Sequence, residues 1–137
     1  MPVYNRLKAD LLQGNVDLDT GGDTIKVQLH TSSYTPDVDH GTNGDLSNEV
    51  ANGNGYTTGG ATLANQSITQ DDANDRAYLD ADNTEWTSSS FTARYAVVVD
   101  TTTSNSLIGY IDFGTNVSVT SSTFTITWSS DGILRLS

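Results

Sequence analysis

Seventeen Asp and Glu side chains in a chain of 137 residues make carboxylate chemistry the first to weigh. The tightest group is Asp17, Asp19, Gly21, Gly22 and Asp23, whose spacing follows the first part of an EF-hand calcium loop, with a glycine at the sixth place. Gln28 stands where that loop needs its bidentate glutamate, and the flanks read as strands, so the group is read as a solvated hairpin turn. Asp80-Ala81-Asp82-Asn83-Thr84-Glu85 offers oxygens to a hard cation in the same way. Asp and Asn at turns more often bond their own backbone. His30 and His40 are the only histidines, and zinc needs three or four well-placed ligands. Paired carboxylates are inevitable among so many acids, and no Gly-x-Ser-x-Gly elbow or His-Glu-x-x-His pair accompanies them. Gly53-Asn54-Gly55 and Gly59-Gly60 lack the lysine and helix start of a phosphate loop. With no cysteine, thiolate chemistry, disulfides and cysteine-ligated metals are excluded. The expectation is a protein that is not an enzyme and has no cofactor or metal.

Aromatic residues are the other candidates. Tyr34, Tyr56, Tyr78, Trp86 and Tyr110 would suit a sugar platform, since aromatic faces pack on sugars and phenols add polar contacts. Core or intersubunit packing is the competing reading, and the pair in the long loop, Tyr34 and Tyr56, must be buried against something. Arg6, Arg76 and Arg94 are scarce cations in an acidic chain, and each is expected to pair with carboxylates within or between chains. The net charge of -11 argues against nucleic acid, whose phosphates need Lys and Arg, and against an anionic membrane surface. No run approaches the roughly 18 apolar residues of a membrane-spanning helix. Met1-Pro2-Val3-Tyr4-Asn5-Arg6 has no apolar stretch of signal length, which predicts a chain made in a cytoplasm.

The elements that would position these residues are mostly strands. Ser and Thr number 35 and Asn 11, a mixture of strand and turn formers. Residues 5–13 predict a short helix, with Leu7 and Leu11 on the face of Tyr4, Asn5 as its cap and Gly14 as its left-handed end. Two turns are marginal alone, so the helix must pack on its own sheet or on a neighbouring subunit. Ile25, Val27 and Leu29 alternate with Lys26, Gln28 and His30 as a half-buried strand. Residues 31–58 read as one long ordered loop. Residues 62–69 and 76–80 follow as strands, then a short strand at 85–87. Residues 91–100 are apolar on both faces, which places them mid-sheet or under a second layer. Residues 91–100, 107–113 and 122–128 read as an antiparallel meander with short connections. One domain over residues 1–137 is expected, mainly β, with its main antiparallel strands in 62–137. It would be a single-domain antiparallel β-sandwich or small barrel with a short N-terminal helix.

The chain resembles a widespread family of small structural proteins of tailed bacteriophages. The matching stretches include Tyr4-Asn5-Arg6-Leu7-Lys8, Val16-Asp17-Leu18-Asp19-Thr20, Ile25-Lys26-Val27-Gln28-Leu29 and Thr31-Ser32-Ser33-Tyr34-Thr35-Pro36. Asn48-Glu49-Val50, Gly55-Tyr56-Thr57-Thr58-Gly59-Gly60, Thr92-Ala93-Arg94-Tyr95-Ala96-Val97, Ile111-Asp112-Phe113-Gly114, Phe124-Thr125-Ile126 and Gly132-Ile133-Leu134 extend the resemblance over nearly the whole chain. It implies a virion component made in the host cytoplasm, with no catalytic set. A capsid decoration, or cement, protein fits the size and single domain, binding the outside of the head. Its partners would be the major capsid protein or copies of itself. Leu7, Leu11, Tyr34 and Tyr56, from the helix and the long loop, are the candidate apolar anchors. A tail or fibre-attachment component is the alternative role. A carbohydrate-binding module for host surface glycans is a third, and it requires Tyr34, Tyr56 or Trp86 to lie exposed in a shallow groove.

Overall fold

Ile25, Val27 and Leu29 form the organising strand, β1 (Ile25–His30), in a computed structural model that describes residues 1–137. All three side chains are fully buried. The helix α1 (Asn5–Gln13) precedes the strand, and β2 (Ala61–Thr62), β3 (Ser67–Asp71), β4 (Arg76–Asp80), β5 (Thr84–Asp100), β6 (Ser106–Ile126) and β7 (Leu134–Leu136) follow it. They make two antiparallel sheets, ordered β2-β1-β5-β6 and β3-β4-β7. The protein is thus a single, mainly antiparallel β domain with one short N-terminal helix. Its sheets are two separate open ones rather than one closed barrel.

β5 is apolar on both faces because both are covered. Ala96 and Val98 join Val27, Leu29, Ile108 and, from the smaller sheet, Leu79 and Leu134 in the main core. Val97 and Val99 face the other way, against Tyr4, Tyr34 and Leu107. The second covering layer is therefore the long loop and the start of the helix. Its chain also continues the sheet past the two-residue β2. The Val50 amide donates to the Leu29 carbonyl at 2.8 Å, and Glu49 bridges to His30.

Three local expectations need correction. Asn5 is the first helical residue, not the cap: Tyr4 occupies that place without a side-chain cap bond, and the Asn5 amide group instead holds Asp39 at 2.6 Å. Gly14 does end the helix in the left-handed region, at φ 69°. The expected 62–69 strand is divided between β2 and β3 where Asn65 turns at φ 54°. Most consequential, 107–113 and 122–128 are not two strands of a meander, nor are 85–87 and 91–100 separate. Each pair is one long strand, β6 and β5, joined across bulges. Ser88 and Ser121 take φ 51° and 47° and Gly114 takes 78°, so residues that resemble turns in sequence bend a continuous hairpin instead.

Candidate interaction surfaces

The four candidate anchors do not form a docking surface. Leu7, Tyr34 and Tyr56 are 1%, 1% and 2% exposed, inside the chain's own core, and Leu11 is half-buried. No partner reaches the three buried ones, so the anchor role assigned to them is withdrawn. The reason is local. A long loop cannot leave its backbone groups unpaired beside a sheet, and its two tyrosines supply both apolar cover and polar bonds. The Tyr56 hydroxyl accepts the Leu29 amide at 3.1 Å and donates to Glu49 at 2.6 Å, while Glu49 also accepts the Gly59 amide at 2.6 Å. Burial, reinforced by the Glu49 carboxylate, pushes the Tyr56 phenol far above its ordinary range. The Tyr34 hydroxyl lies 3.0 Å from that of Tyr4 and 3.2 Å from His40 Nδ1. Tyr34, Tyr56 and Trp86 are all interior, so the groove required for the carbohydrate reading is not made from them.

Many of the titratable residues are likewise engaged in structure. Asp23 accepts the Asp17 amide at 2.7 Å, Asp17 accepts the Asp19 amide at 3.1 Å, and Asp19 accepts the amides of Thr20 and Ile68. The carboxylates of this turn bond backbone, as Asp at turns ordinarily does. In the second acidic turn, Asp80 accepts the Ala81 amide and Asp82 accepts the Asn65 side chain. His30 donates from Nδ1 to the Ser47 carbonyl at 2.8 Å, and burial lowers its pKa below the ordinary value against smaller opposing effects of Ser47 and Glu49. His30 and His40 flank the Tyr34 ring, with centroids 4.9 Å and 6.0 Å away. No group of three or more His, Asp or Glu side chains is gathered as a metal site. Three of the four arginines pair within the chain: Arg6 with Asp10, Arg76 with Asp71 and Asp131, and Arg94 with Asp112.

Two grooves are lined mostly by apolar side chains. The first is an apolar groove of about 230 Å³ between the end of α1 and the smaller sheet, walled by Leu11, Leu18, Ile68, Leu79, Leu134 and Leu136, with Asp17 and Asp19 also lining it. Ile68 and Leu136 are 45% and 57% exposed, and Leu12, on the adjoining helix, is 91% exposed. The second lies on the bent β5–β6 hairpin. Its Ile111, Phe113, Val117 and Val119 are half-buried and line a groove of about 380 Å³ floored by Phe124. The chain matches no protein-family model, no curated protein and no solved structure.

Sequence reasoning missed Leu12, although its signal was present: it is an apolar residue lying off the stripe that Tyr4, Leu7 and Leu11 define. The hairpin surface had a signal as well, because residues 86–93 and 113–130 contain no charged side chain.

Gly55 ties the long loop to the bend of this hairpin. It sits at φ 87°, and a Cβ there would stand 2.8 Å from Ser89 Cα and crowd Ser89 Oγ. The adjacent Asn54 carbonyl accepts the Ser90 amide at 2.9 Å. Gly55→Ala is expected to destabilise the fold by about 1–3 kcal/mol in urea unfolding, from overpacking together with the left-handed backbone. A cost under about 0.5 kcal/mol would mean that the loop lifts from the bend without penalty.

Proposed function

We propose that the protein is a structural component of a tailed-bacteriophage virion, a decoration protein that binds the outside of the head and helps to hold it against internal pressure. The observation that carries this reading is the exposed apolar groove beside α1. Its half-open Ile68 and Leu136, with an almost fully exposed Leu12 following the lining residue Leu11 on the helix, suit insertion of an apolar side chain from a neighbouring protein. Many of the titratable side chains also bond backbone or other side chains within the chain, which fits a protein that works by packing. The partner in this reading is the major capsid protein. A tail or fibre-attachment role is the second reading, favoured by the long outer strand β6, whose edge would continue a sheet between subunits of a ring.

Immunogold electron microscopy of intact virions separates the two. Label spread over the head facets is expected, whereas label confined to the tail would establish the second reading. Leu12→Asp with Leu136→Asp is expected to weaken capsid binding tenfold or more, about 1.4 kcal/mol or above. Undiminished binding by this variant would reject the groove as the contact.

A further inference from the structure

We infer that the protein self-associates through the β5–β6 hairpin, the occupant of its apolar groove being the same surface of a second copy. This surface is separate from the groove beside α1, and the inference stands whether or not the protein decorates a capsid.

Charge placement carries the argument. A chain of net charge -11 repels its own copies. At physiological salt, charges act over a Debye length of about 8 Å, so faces bearing aspartates resist close approach by like faces. The charges are not evenly spread. Residues 50–70, 86–93 and 113–130 contain none. The fold brings parts of these runs together: 86–93 pairs with β6, and the loop around Asn54 and Gly55 lies on the bend at Ser89 and Ser90. At the base of the hairpin, Arg94 and Asp112 neutralise each other through two hydrogen bonds of 2.7 and 3.2 Å. Glu85 is the exposed charge that remains, opposite the groove residue Thr125 and accepting its hydroxyl, so the hairpin and its flank are a sparsely charged surface on a strongly anionic molecule, a place where two copies meet with little repulsion.

That sparsely charged surface also has something to bury. Ile111, Phe113, Val117 and Val119 remain only partly covered along the groove, and the exposed Thr123 and Thr125 form part of its lining. β6 is the outermost strand of its sheet. Val3 and Thr42 bridge its first residues, at Gly109 and Ser106, but beyond Asp112 no other strand pairs with its outer edge. Native edges are commonly guarded by lysine, proline or inward-pointing charge. The stretch from 113 to 126 has none of these, and only its bulges interrupt it. A two-fold contact of like surfaces satisfies both features, because each copy supplies the same groove and the same edge.

The test is sedimentation velocity of the full chain at physiological salt over a range of concentrations. The expected result is a concentration-dependent dimer. Thr123→Glu and Thr123→Lys each place a charge on an exposed groove position that is not paired with Glu85, without touching the core. Each variant is expected to associate at least tenfold more weakly, with an unchanged circular dichroism spectrum, and an equimolar mixture of the two should recover association. Leu136→Asp, in the other groove, should associate as the native chain does. A native chain that stays monomeric throughout overturns the inference. So does native association by both Thr123 variants, or loss of association in Leu136→Asp alone.

Discussion

Truncation of Tyr56 to alanine is expected to cost about 3–5 kcal/mol of folding stability, the range for deleting a buried aromatic ring. The ring stacks on Trp86 at 6.3 Å and meets Phe91 edge-on at 5.9 Å, so its loss opens the main core where loop and hairpin join. Its hydroxyl is the link between the Leu29 amide and Glu49. Without it, a strand amide and a part-buried carboxylate both lose a partner. Tyr56→Phe separates the contributions. It keeps the ring and is expected to cost about 1–3 kcal/mol, the usual penalty for leaving buried polar groups unpaired. A natural domain has only about 5–15 kcal/mol in hand, so the alanine variant should be close to unfolding at 37 °C. Urea unfolding of the three proteins measures both differences. An alanine cost below about 1 kcal/mol would show that the long loop is not an integral layer of the fold.

Asparagine in place of Asp100 is expected to raise stability at pH 7 by about 1–3 kcal/mol, the order of the penalty carried by an unsatisfied buried group. Asp100 is completely buried. Its Oδ1 accepts the amides of Thr102 and Thr103 at 2.9 and 3.0 Å, whereas its Oδ2 has no hydrogen-bond partner. Burial raises its pKa, and the Asp23 carboxylate adds to the rise. The folded state therefore holds the Asp100 proton more tightly than the unfolded chain does. This stabilising contribution is full below the unfolded value of about 3.9 and is lost as pH rises through the raised folded value. Asparagine keeps the acceptor for the turn and replaces Oδ2 by an uncharged donor. Asp112, held low by the Arg94 hydrogen bonds, and Asp71, held low by Asn74 and Arg76, work the other way and lose their contribution as pH falls. The informative quantity is thus the difference between Asp100→Asn and the parent in thermal melts from pH 4 to 8. The gain should grow as pH rises through that window. A difference that does not vary with pH would mean that Asp100 is not the titrating group. Asp100→Ala, which also removes the acceptor for the turn, should be less stable than the asparagine variant.

Much of the frame was readable in the residues. Period-two alternation in 25–30 located the organising strand, and apolar residues on both faces of 91–100 announced a strand covered on both sides. The burial of Tyr34 and Tyr56 also followed from their place in a polar loop. What their covering surface was did not follow, because an apolar side chain carries no mark distinguishing its own core from a partner. Their assignment as external anchors failed for that reason, as did that of Leu7. The hairpin was misdivided because Gly114, Ser121 and Ser88 carry turn chemistry that serves equally well at a bulge. The strain at Asp100 was hidden by its turn-forming role, since pairing of Oδ1 with two amides is ordinary and only the surroundings leave Oδ2 alone. Distribution of charge was the neglected signal. It is legible in sequence, but it becomes a surface only once the fold brings the uncharged runs together.

The strand order β2-β1-β5-β6 also governs how the molecule comes into being. Ile25 lies opposite Asp100, and β5 completes its other side only with β6. A ribosome making this chain delivers α1 and β1 long before anything exists for them to pair with. The helix is too short to persist alone, so the first half waits unfolded until most of the second has emerged. Folding is then dominated by loop closure between distant segments, which places it among the slow β domains, in milliseconds to seconds. During that interval, the aspartates between Asp10 and Asp45 keep nascent chains apart by mutual repulsion. The sparsely charged hairpin is synthesised near the end, when its own partners are ready to receive it.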